Sequence, residues 1–346
     1  MYIENNQIKK YVSFWLVSLF WLMAIMIIIG GLTRLTDSGL SITQWQLFSG
    51  FLPPLNNTDW DKYFHLYKEI PEFKIQNFEM TLNEFKIIFW WEWVHRFLGR
   101  LIGIYYLIPL IFFSFKIRFK NLIILYLIFF LICFQGFMGW YMVSSGLVDR
   151  IDVSHFRLSV HLVIAFIILS LILWNYFNTK IIVFSDEKLK FSIPVIFLFL
   201  IFMQITIGAF VSGMDAGKIY NSWPLMGASY FPNDNNFIDL FNFSAFSEPS
   251  LVQFMHRNLA YIICLFYLFL LIKIYINNLS KFYFAINLLG LVLLIQVLLG
   301  IFTLTHNAQL MLSSMHQITS IFLVSTSVYL LYLNSKSSKH HSNQLF

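Results

Sequence analysis

The sequence predicts an all-α polytopic membrane protein with eight transmembrane helices, arranged as two tandem four-helix bundles related by a parallel repeat. Of the 346 residues, 58% are hydrophobic and 12% are charged, whereas an ordinary soluble domain carries about 25% charged residues. Eight apolar runs reach the length of about 20 residues that a bilayer requires. The two halves of the chain also share glycine and polar positions at constant spacing. These observations exclude a soluble fold.

The eight predicted spans follow one another through short connections, except for long loops after the first and the fifth span. They cover residues 12–31, 88–114, 121–143, 158–177, 191–211, 254–276, 282–303 and 312–333. The loop of residues 32–87 is too long to be without structure, and Trp60, Phe64 and Tyr67 recur in it at helical spacing. We expect an amphipathic helix there that lies on the membrane surface and covers a site below it.

Basic residues in the short connections predict the orientation of the chain. Those that share one side of the membrane are Lys9, Lys10, Lys116, Arg118, Lys120, Lys180, Lys188, Lys190, Lys273, Lys281, Lys336 and Lys339. Because such residues remain in the cytoplasm, we expect both termini to be cytoplasmic and the long loop to be external.

The net charge of +6 contains no cluster dense enough to indicate nucleic-acid binding. A short N-terminal segment without a transit-peptide pattern favours a bacterial inner membrane.

The second span carries polar residues into the membrane. Thr81 and Glu84 form a capping-box pattern that predicts a helix start well before the apolar part. Glu92 and His95 lie on one face of this helix. The same face continues with Gly99 and Gly103. Two glycines weaken a helix by roughly 1 kcal/mol each relative to alanine, so they indicate room beside His95 for a flat, bulky ligand such as haem.

The second half of the chain repeats landmarks of the first. Gly30, Asp37, Gly39 and Trp45 recur 178 residues later as Gly208, Asp215, Gly217 and Trp223, and His95, Arg96, Gln135 and Gly139 recur 161 residues later as His256, Arg257, Gln296 and Gly300. The offset falls because the outer loop is longer in the first half. We therefore expect two four-helix units, residues 1–180 and 181–346, which share one orientation because an even number of spans separates them.

Four histidines lie near the outer ends of the even-numbered spans, each followed four residues later by a small residue. They are His95, His161, His256 and His316, with Gly99, Ala165, Ala260 and Ser320. Haem iron takes axial ligands on both faces of the ring, so a histidine from each of two facing helices fits one haem per unit. The alternative is that these are core histidines hydrogen-bonded between helices. We expect His65, His155 and His306 to be exposed loop side chains.

Two arginines directly follow two of these histidines near the aqueous edge. Arg96 and Arg257 can anchor haem propionates through charge-assisted hydrogen bonds, or they can bind lipid headgroups or backbone carbonyls instead. We expect Gln135 and Gln296 to connect neighbouring helices.

The two units differ at one position that bears on function. Glu92 stands three residues before His95, whereas Gln253 stands three residues before His256 and forms a capping-box pattern with Ser250. Of the two side chains, only the carboxylate can exchange protons or stabilise a developing cation. We therefore expect the first unit to be reactive and the second to hold a permanent bis-histidine haem b. The alternative is that Glu92 only orients His95.

The motifs that carry these features closely resemble those of the haem A synthases of cytochrome oxidase assembly. The similar blocks are GGLTRLTDSGLSITQW at 30–45, PEFKIQNFEMTLNEFKIIFWWEWVHRFLGRLIG at 71–103, QGFMGWYMVSSGL at 135–147, RLSVHL at 157–162 and FMHRNLAY at 254–261. The resemblance spans nearly the whole chain. It points to the subgroup of mitochondria and alphaproteobacteria, because the cysteine pair that other members carry in the first outer loop is absent.

The resemblance implies that haem O is oxidised at its C8 methyl group to a formyl group, by successive hydroxylations and loss of water. It assigns His256 and His316 to the iron of a haem b cofactor, and His95 and His161 to the substrate haem beside a catalytic Glu92. Haem O synthase is the expected partner, together with an unknown electron acceptor.

Two other classes of protein stay open at this stage. A di-haem b-type transmembrane electron-transfer cytochrome would also carry histidine pairs, but it would need neither Glu92 nor a covering loop. A transporter built on two repeats fits less well, because transport sites lie near the midplane of the membrane.

Overall fold

The computed structural model describes residues 5–46, 49–148, 150–181 and 185–336. These residues form ten α-helices: α1 Asn6–Leu35, α2 Asn57–Lys68, α3 Pro71–Ile75, α4 Leu82–Ser114, α5 Phe119–Ser144, α6 His155–Lys180, α7 Ser192–Gly213, α8 Pro249–Ile276, α9 Tyr283–Thr305 and α10 Leu310–Ser335. All except α2 and α3 are long and apolar enough to cross a membrane. The predicted class and the eight spans are therefore confirmed.

Helices α1 and α4 extend beyond the predicted spans and shorten the outer loop at both ends. Helix α1 continues to Leu35, and α4 begins at Leu82 because Thr81 caps it. The Thr81 side chain accepts a hydrogen bond from the Glu84 N–H, and the Glu84 carboxylate accepts one from the Thr81 N–H. This reciprocal capping box was predicted. The outer segment thus occupies residues 36–81 rather than 32–87.

The eight long helices pack as two rings that share a central contact. Helices α1, α4, α5 and α6 contact one another in succession, and α6 closes on α1; α7 to α10 are connected in the same way. Helices α1, α6, α7 and α10 also contact one another where the rings meet. Leu16 of α1, Leu169 of α6 and Val324 of α10 are fully buried there. The enclosed space of each ring is therefore the place where a ligand can be held.

The outer segment between α1 and α4 contains the predicted amphipathic helix. In α2, Trp60, Phe64 and Tyr67 are buried on one face and pack on Phe85 and Phe89 at the start of α4. Their ring centroids lie 4.9 Å apart for Trp60 and Phe89 and 5.2 Å apart for Tyr67 and Phe85. These aromatic contacts fix α2 and α3 to the outer end of α4.

The start of α8 differs from the prediction. Pro249 is its first residue, and Glu248 is the N-cap without a side-chain cap bond. Ser250 therefore lies inside the first turn, where its hydroxyl accepts a hydrogen bond from the Asn235 amide at 2.7 Å. The predicted capping box of Ser250 and Gln253 is wrong because proline, which lacks the N–H and has a preset φ, favours the first helical position.

Candidate functional site

A single cavity of about 1050 Å³ runs through both rings. Side chains from all eight long helices line it, and among them are His95, His161, His256 and His316. His95 of α4 and His161 of α6 belong to the first ring of helices, and His256 of α8 and His316 of α10 belong to the second. The structure therefore brings all four predicted histidines to one space, as one pair within each ring.

Each of these imidazole rings lies against a glycine of the preceding long helix. The contacts are His95 on Gly30, His161 on Gly139, His256 on Gly208 and His316 on Gly300. A Cβ atom at these glycines would lie 2.8, 3.3, 3.0 and 3.0 Å from the respective imidazole Cε1. Any other residue would therefore displace the ring. The sequence had marked these glycines through their constant offsets, but it did not show that they seat the histidines.

Three imidazole nitrogens have properties expected of metal ligands. Within the described chain, Nδ1 of His95, of His161 and of His256 is buried and has no hydrogen-bond partner. A buried polar atom is normally hydrogen-bonded, so an unpaired one needs an explanation, and coordination of a metal by the imidazole is one. Paired histidines beside a large apolar cavity fit the axial ligation of haem. In the second ring of helices, His316 Nδ1 lies 3.1 Å from the Gln296 carbonyl oxygen, and this contact gives the His316 imidazole a preferred orientation.

Glutamines tie the histidine-bearing helices to their neighbours. The Gln135 amide donates to the His161 carbonyl at 2.8 Å, and the Gln296 amide lies 3.3 Å from His316 Nδ1, which confirms the predicted bridging. Gln204 of α7 was missed: its amide donates to the His256 carbonyl at 3.0 Å and lies 3.2 Å from His256 Nε2. A lone polar residue in an apolar span was the signal that could have found it.

Arg96 and Arg257 line the cavity and hold the outer segments above it. The hydrogen bonds run from Arg96 to the carbonyls of Ile42 at 2.7 Å and Gln44 at 3.2 Å, and from Arg257 to those of Tyr220 and Ser222 at 2.9 Å each. The acceptors in the two rings are separated by the same offset of 178 residues that relates other landmarks. Carbonyl binding, which the sequence left open, is thus observed, and propionate binding stays a prediction.

Glu92 is almost fully buried, and both of its carboxylate oxygens are engaged. Oε2 accepts hydrogen bonds from the Ser41 hydroxyl and the Ile42 N–H, each at 2.7 Å, and Oε1 accepts one from Arg96 at 2.5 Å. Its partners are therefore the outer segment and Arg96 rather than His95. Gln253, at the matching position of the second unit, donates a hydrogen bond where Glu92 accepts: its amide donates to the Tyr220 carbonyl at 3.1 Å.

A cluster of charges lies where the two rings meet at the outer end. Arg34 of α1 lies 2.6 Å from the carboxylate of Asp37, 3.5 Å from that of Asp215 and 3.9 Å from that of Asp152. It also donates to the Ser212 carbonyl of α7 at 2.9 Å. Burial raises the pKa of Asp152, and Arg34 opposes this shift. No sequence pattern indicates a role for Arg34, although this side chain connects the rings.

One loop histidine was predicted wrongly. His155 is buried rather than exposed, because it is the first residue of α6 and its ring packs against Phe156 and Phe210. His65 and His306 are exposed, as expected.

Known proteins are similar to this chain over nearly its whole length. The family model described as cytochrome oxidase assembly protein (COX15-CtaA) matches residues 13–328, which include all four cavity histidines. The chain is 46% identical to the haem A synthase of Pelagibacter ubique, over 97% of this chain and 100% of that protein. It is 43% identical to the haem A synthase of Rickettsia bellii, over 93% and 97%, and 39% identical to that of Flavobacterium psychrophilum, over 96% and 100%.

Proposed function

The chain belongs to the COX15-CtaA family of cytochrome oxidase assembly proteins. We propose that its two rings of helices have different roles, one binding the substrate and the other a resident haem. The chain is a multi-pass membrane oxidoreductase with haem A synthase activity, which converts the C8 methyl group of haem O to a formyl group. In this proposal residues 1–180 bind the substrate haem O, and residues 181–346 bind a resident haem b. The sequence relatives in Pelagibacter and Rickettsia support the alphaproteobacterial subgroup.

The observation that carries the proposal is the seating of four imidazoles on four glycines around one cavity. Each ring of helices offers one histidine pair, so each would hold one haem through its two imidazoles. His256 and His316 would ligate haem b, and His95 and His161 would ligate the iron of haem O. When bound, haem b supplies one-electron redox chemistry.

The space around the two histidine pairs supports the placement of the substrate in the first unit. Gly99, Gly103 and Gly136 line the cavity there, and a Cβ atom at Gly103 or Gly136 would meet no atom of the described residues within 4 Å. At the matching offset of 161 residues the second unit has the larger side chains Ala260, Cys264 and Val297. Haem O carries a long isoprenoid side chain that haem b lacks, so the roomier unit suits the substrate.

The arginines and Glu92 position the ligands in this proposal. Arg257 Nε is buried and has no hydrogen-bond partner within the described segments, so it remains available to a haem propionate. Arg96 would serve the propionates of haem O. Glu92 holds Arg96 and the segment at Ser41 and Ile42 beside the cavity. We assign it a positioning role with an electrostatic contribution to the reaction.

The location and partners of the protein follow from the same proposal. The basic connections support cytoplasmic termini and outer segments on the other face of a bacterial inner membrane. Haem O is as poorly soluble as the product, so a membrane-bound haem O synthase is the natural supplier. An electron acceptor must accept the electrons released by the oxidation.

Single histidine variants test this division. We expect His256→Ala and His316→Ala to lose haem b, and His95→Ala and His161→Ala to retain haem b but form no haem A. His306→Ala, which alters an exposed histidine, is the matched control. Pigments extracted from purified protein and separated by chromatography provide the measurement. Full haem b content in both second-unit variants would refute the assignment, whereas two unmodified haems b and no haem O or haem A would identify an electron-transfer cytochrome.

A further inference from the structure

A buried carboxyl group in the outer segment has no part in the assignments above. Glu72 is the second residue of α3, is only 3% exposed, and lines the cavity. Its Oε2 atom is buried and lacks a hydrogen-bond partner in the described part of the chain. A buried polar group left unpaired destabilises the fold, so its presence here needs an explanation.

The outer segment holds Glu72 at the cavity. Pro71 begins α3, and the ring of Phe73 packs against Phe64 and Tyr67 of α2, with centroids 5.9 and 5.6 Å away. The backbone carbonyl of Glu72 accepts a hydrogen bond from the Gln76 N–H at 2.9 Å. Aromatic packing therefore fixes α3 on its α2 side, while the Glu72 carboxyl faces the space that both histidine pairs share.

Charged and titratable groups face Glu72 from every neighbouring element. They are Tyr67 of α2, Glu92 of α4, Arg34 of α1, Asp37 directly after α1 and Asp152 before α6. Burial, and then the three carboxylates, raise the pKa of Glu72 to about 8, and Arg34 opposes this shift. A carboxyl group with such a pKa is mostly protonated at neutral pH and becomes charged as the pH rises through 8. It can therefore both accept and release protons near working pH.

Oxidation of the methyl group releases protons when water supplies the oxygen atom. With water as the oxygen donor, the methyl carbon loses two C–H bonds, water loses both O–H bonds, a C=O bond forms, and four electrons and four protons leave. One-electron carriers of the haem class accept the electrons without taking up protons. The protons therefore need an acceptor of their own and a route to water.

We propose that Glu72 transfers these protons from the substrate site of the first unit to the outer aqueous phase. The carboxylate of Glu72 accepts a proton from a water molecule or hydroxyl group in the cavity. It then passes the proton to Asp152, whose side chain is 38% exposed. Glu92 is unsuited to this transfer because Ser41, Ile42 and Arg96 occupy its oxygens. The inference rests on the proposed binding of haem O in the first unit.

The first test compares rates in the full-length protein loaded with haem O. Glu72→Gln keeps the size of the side chain but cannot exchange a proton, so we expect haem A formation to fall by about a hundredfold. Haem b content and bound haem O should stay at the wild-type level. Glu72→Asp should restore part of the rate, and Glu79→Gln, which alters an exposed carboxyl group of the same segment, should have no effect. A wild-type rate in Glu72→Gln would overturn the proposal.

The second test does not depend on turnover. Infrared difference spectra of the purified protein should show the C=O stretch of a protonated carboxylic acid that disappears as the pH rises through about 8. This band should be absent from Glu72→Gln and shifted in Glu72→Asp. A band that persists in Glu72→Gln would overturn the assignment. If haem O binding instead depends on His256 and not on His95 while the band remains, the proposed placement of haem O fails, and Glu72 is still the titrating group.

Discussion

At the scale of single residues, the polarity of a hydrogen bond decides what a substitution can do. Glu92 and Gln253 occupy matching places, but the partners of Glu92 are all donors, whereas Gln253 donates to a carbonyl. The presence of Gln253 therefore does not show that glutamine is acceptable at position 92. The sequence identified the pair as the informative difference between the halves, but it could not show which atoms each side chain meets.

The Glu92→Gln variant should therefore disturb both the outer segment and Arg96. Its amide N–H₂ would face the donors of Ile42 or Arg96, and loss of one partner of a buried ion pair costs about 3–5 kcal/mol. We expect haem b to remain, because the second unit is untouched, while haem A falls at least about tenfold and haem O accumulates. Chromatography of extracted pigments measures both haems.

Glu84→Gln is the matched control for this experiment. It alters the capping box of the same helix, in which glutamine can replace glutamate, so haem A should stay near the wild-type level. Wild-type haem A in Glu92→Gln would reduce Glu92 to a dispensable contact. Loss of every haem would mean that Glu92 supports the fold of the whole chain.

At the scale of helices, a contact between a histidine and a glycine recurs in each of four pairs of helices around the cavity. Each helix pair brings an imidazole against a backbone with no side chain, so a ring can approach and a ligand can still fit beside it. The helices themselves were predictable, since long apolar runs and the capping residues Thr81 and Glu84 identify them. Which helix faces which was not predictable, because apolar surfaces contact lipid and protein alike.

The open glycines of the first unit allow a test at this scale. The double variant Gly103→Cys and Gly136→Val introduces the residues that the second unit has at the matching positions, Cys264 and Val297. Neither glycine has a neighbour within reach of a new Cβ, and glycine weakens a helix by about 1 kcal/mol relative to alanine. We expect stability and haem b to be unchanged, while haem O bound to purified protein falls about tenfold or more.

Gly208→Ala is the contrasting control for this space. Its Cβ would lie 3.0 Å from His256 Cε1, so this variant should alter the absorption spectrum of haem b instead of haem O binding. Undiminished haem O binding in the double variant would show that the space beside Gly103 and Gly136 does not hold the substrate.

At the scale of the whole molecule, Arg34 connects the two rings at their outer end, and one cavity runs through both. Long apolar runs and the repeat spacing were enough to predict eight spans and two histidine pairs. Glu72, Gln204 and Arg34 were not assigned, because their roles depend on long-range contacts between segments that are far apart in the chain. Constant offsets locate equivalent residues in the two halves, but they give no information about residues that occur in one half only.

The orientation of the molecule gives the last prediction, and it determines where protons leave. Reporter fusions after Arg118, Glu187 and Lys336 should report cytoplasm, and fusions after Asn56 and Asn235 should report the outer side. The physical reason is the retention of lysine and arginine in short connections on the cytoplasmic side, whereas long segments are translocated largely regardless of their charge. Fusions within the outer segments serve as controls for each other, since both must report the same side. The opposite pattern would place Glu72, Asp37 and Asp152 at the cytoplasmic face and would direct the released protons into the cell.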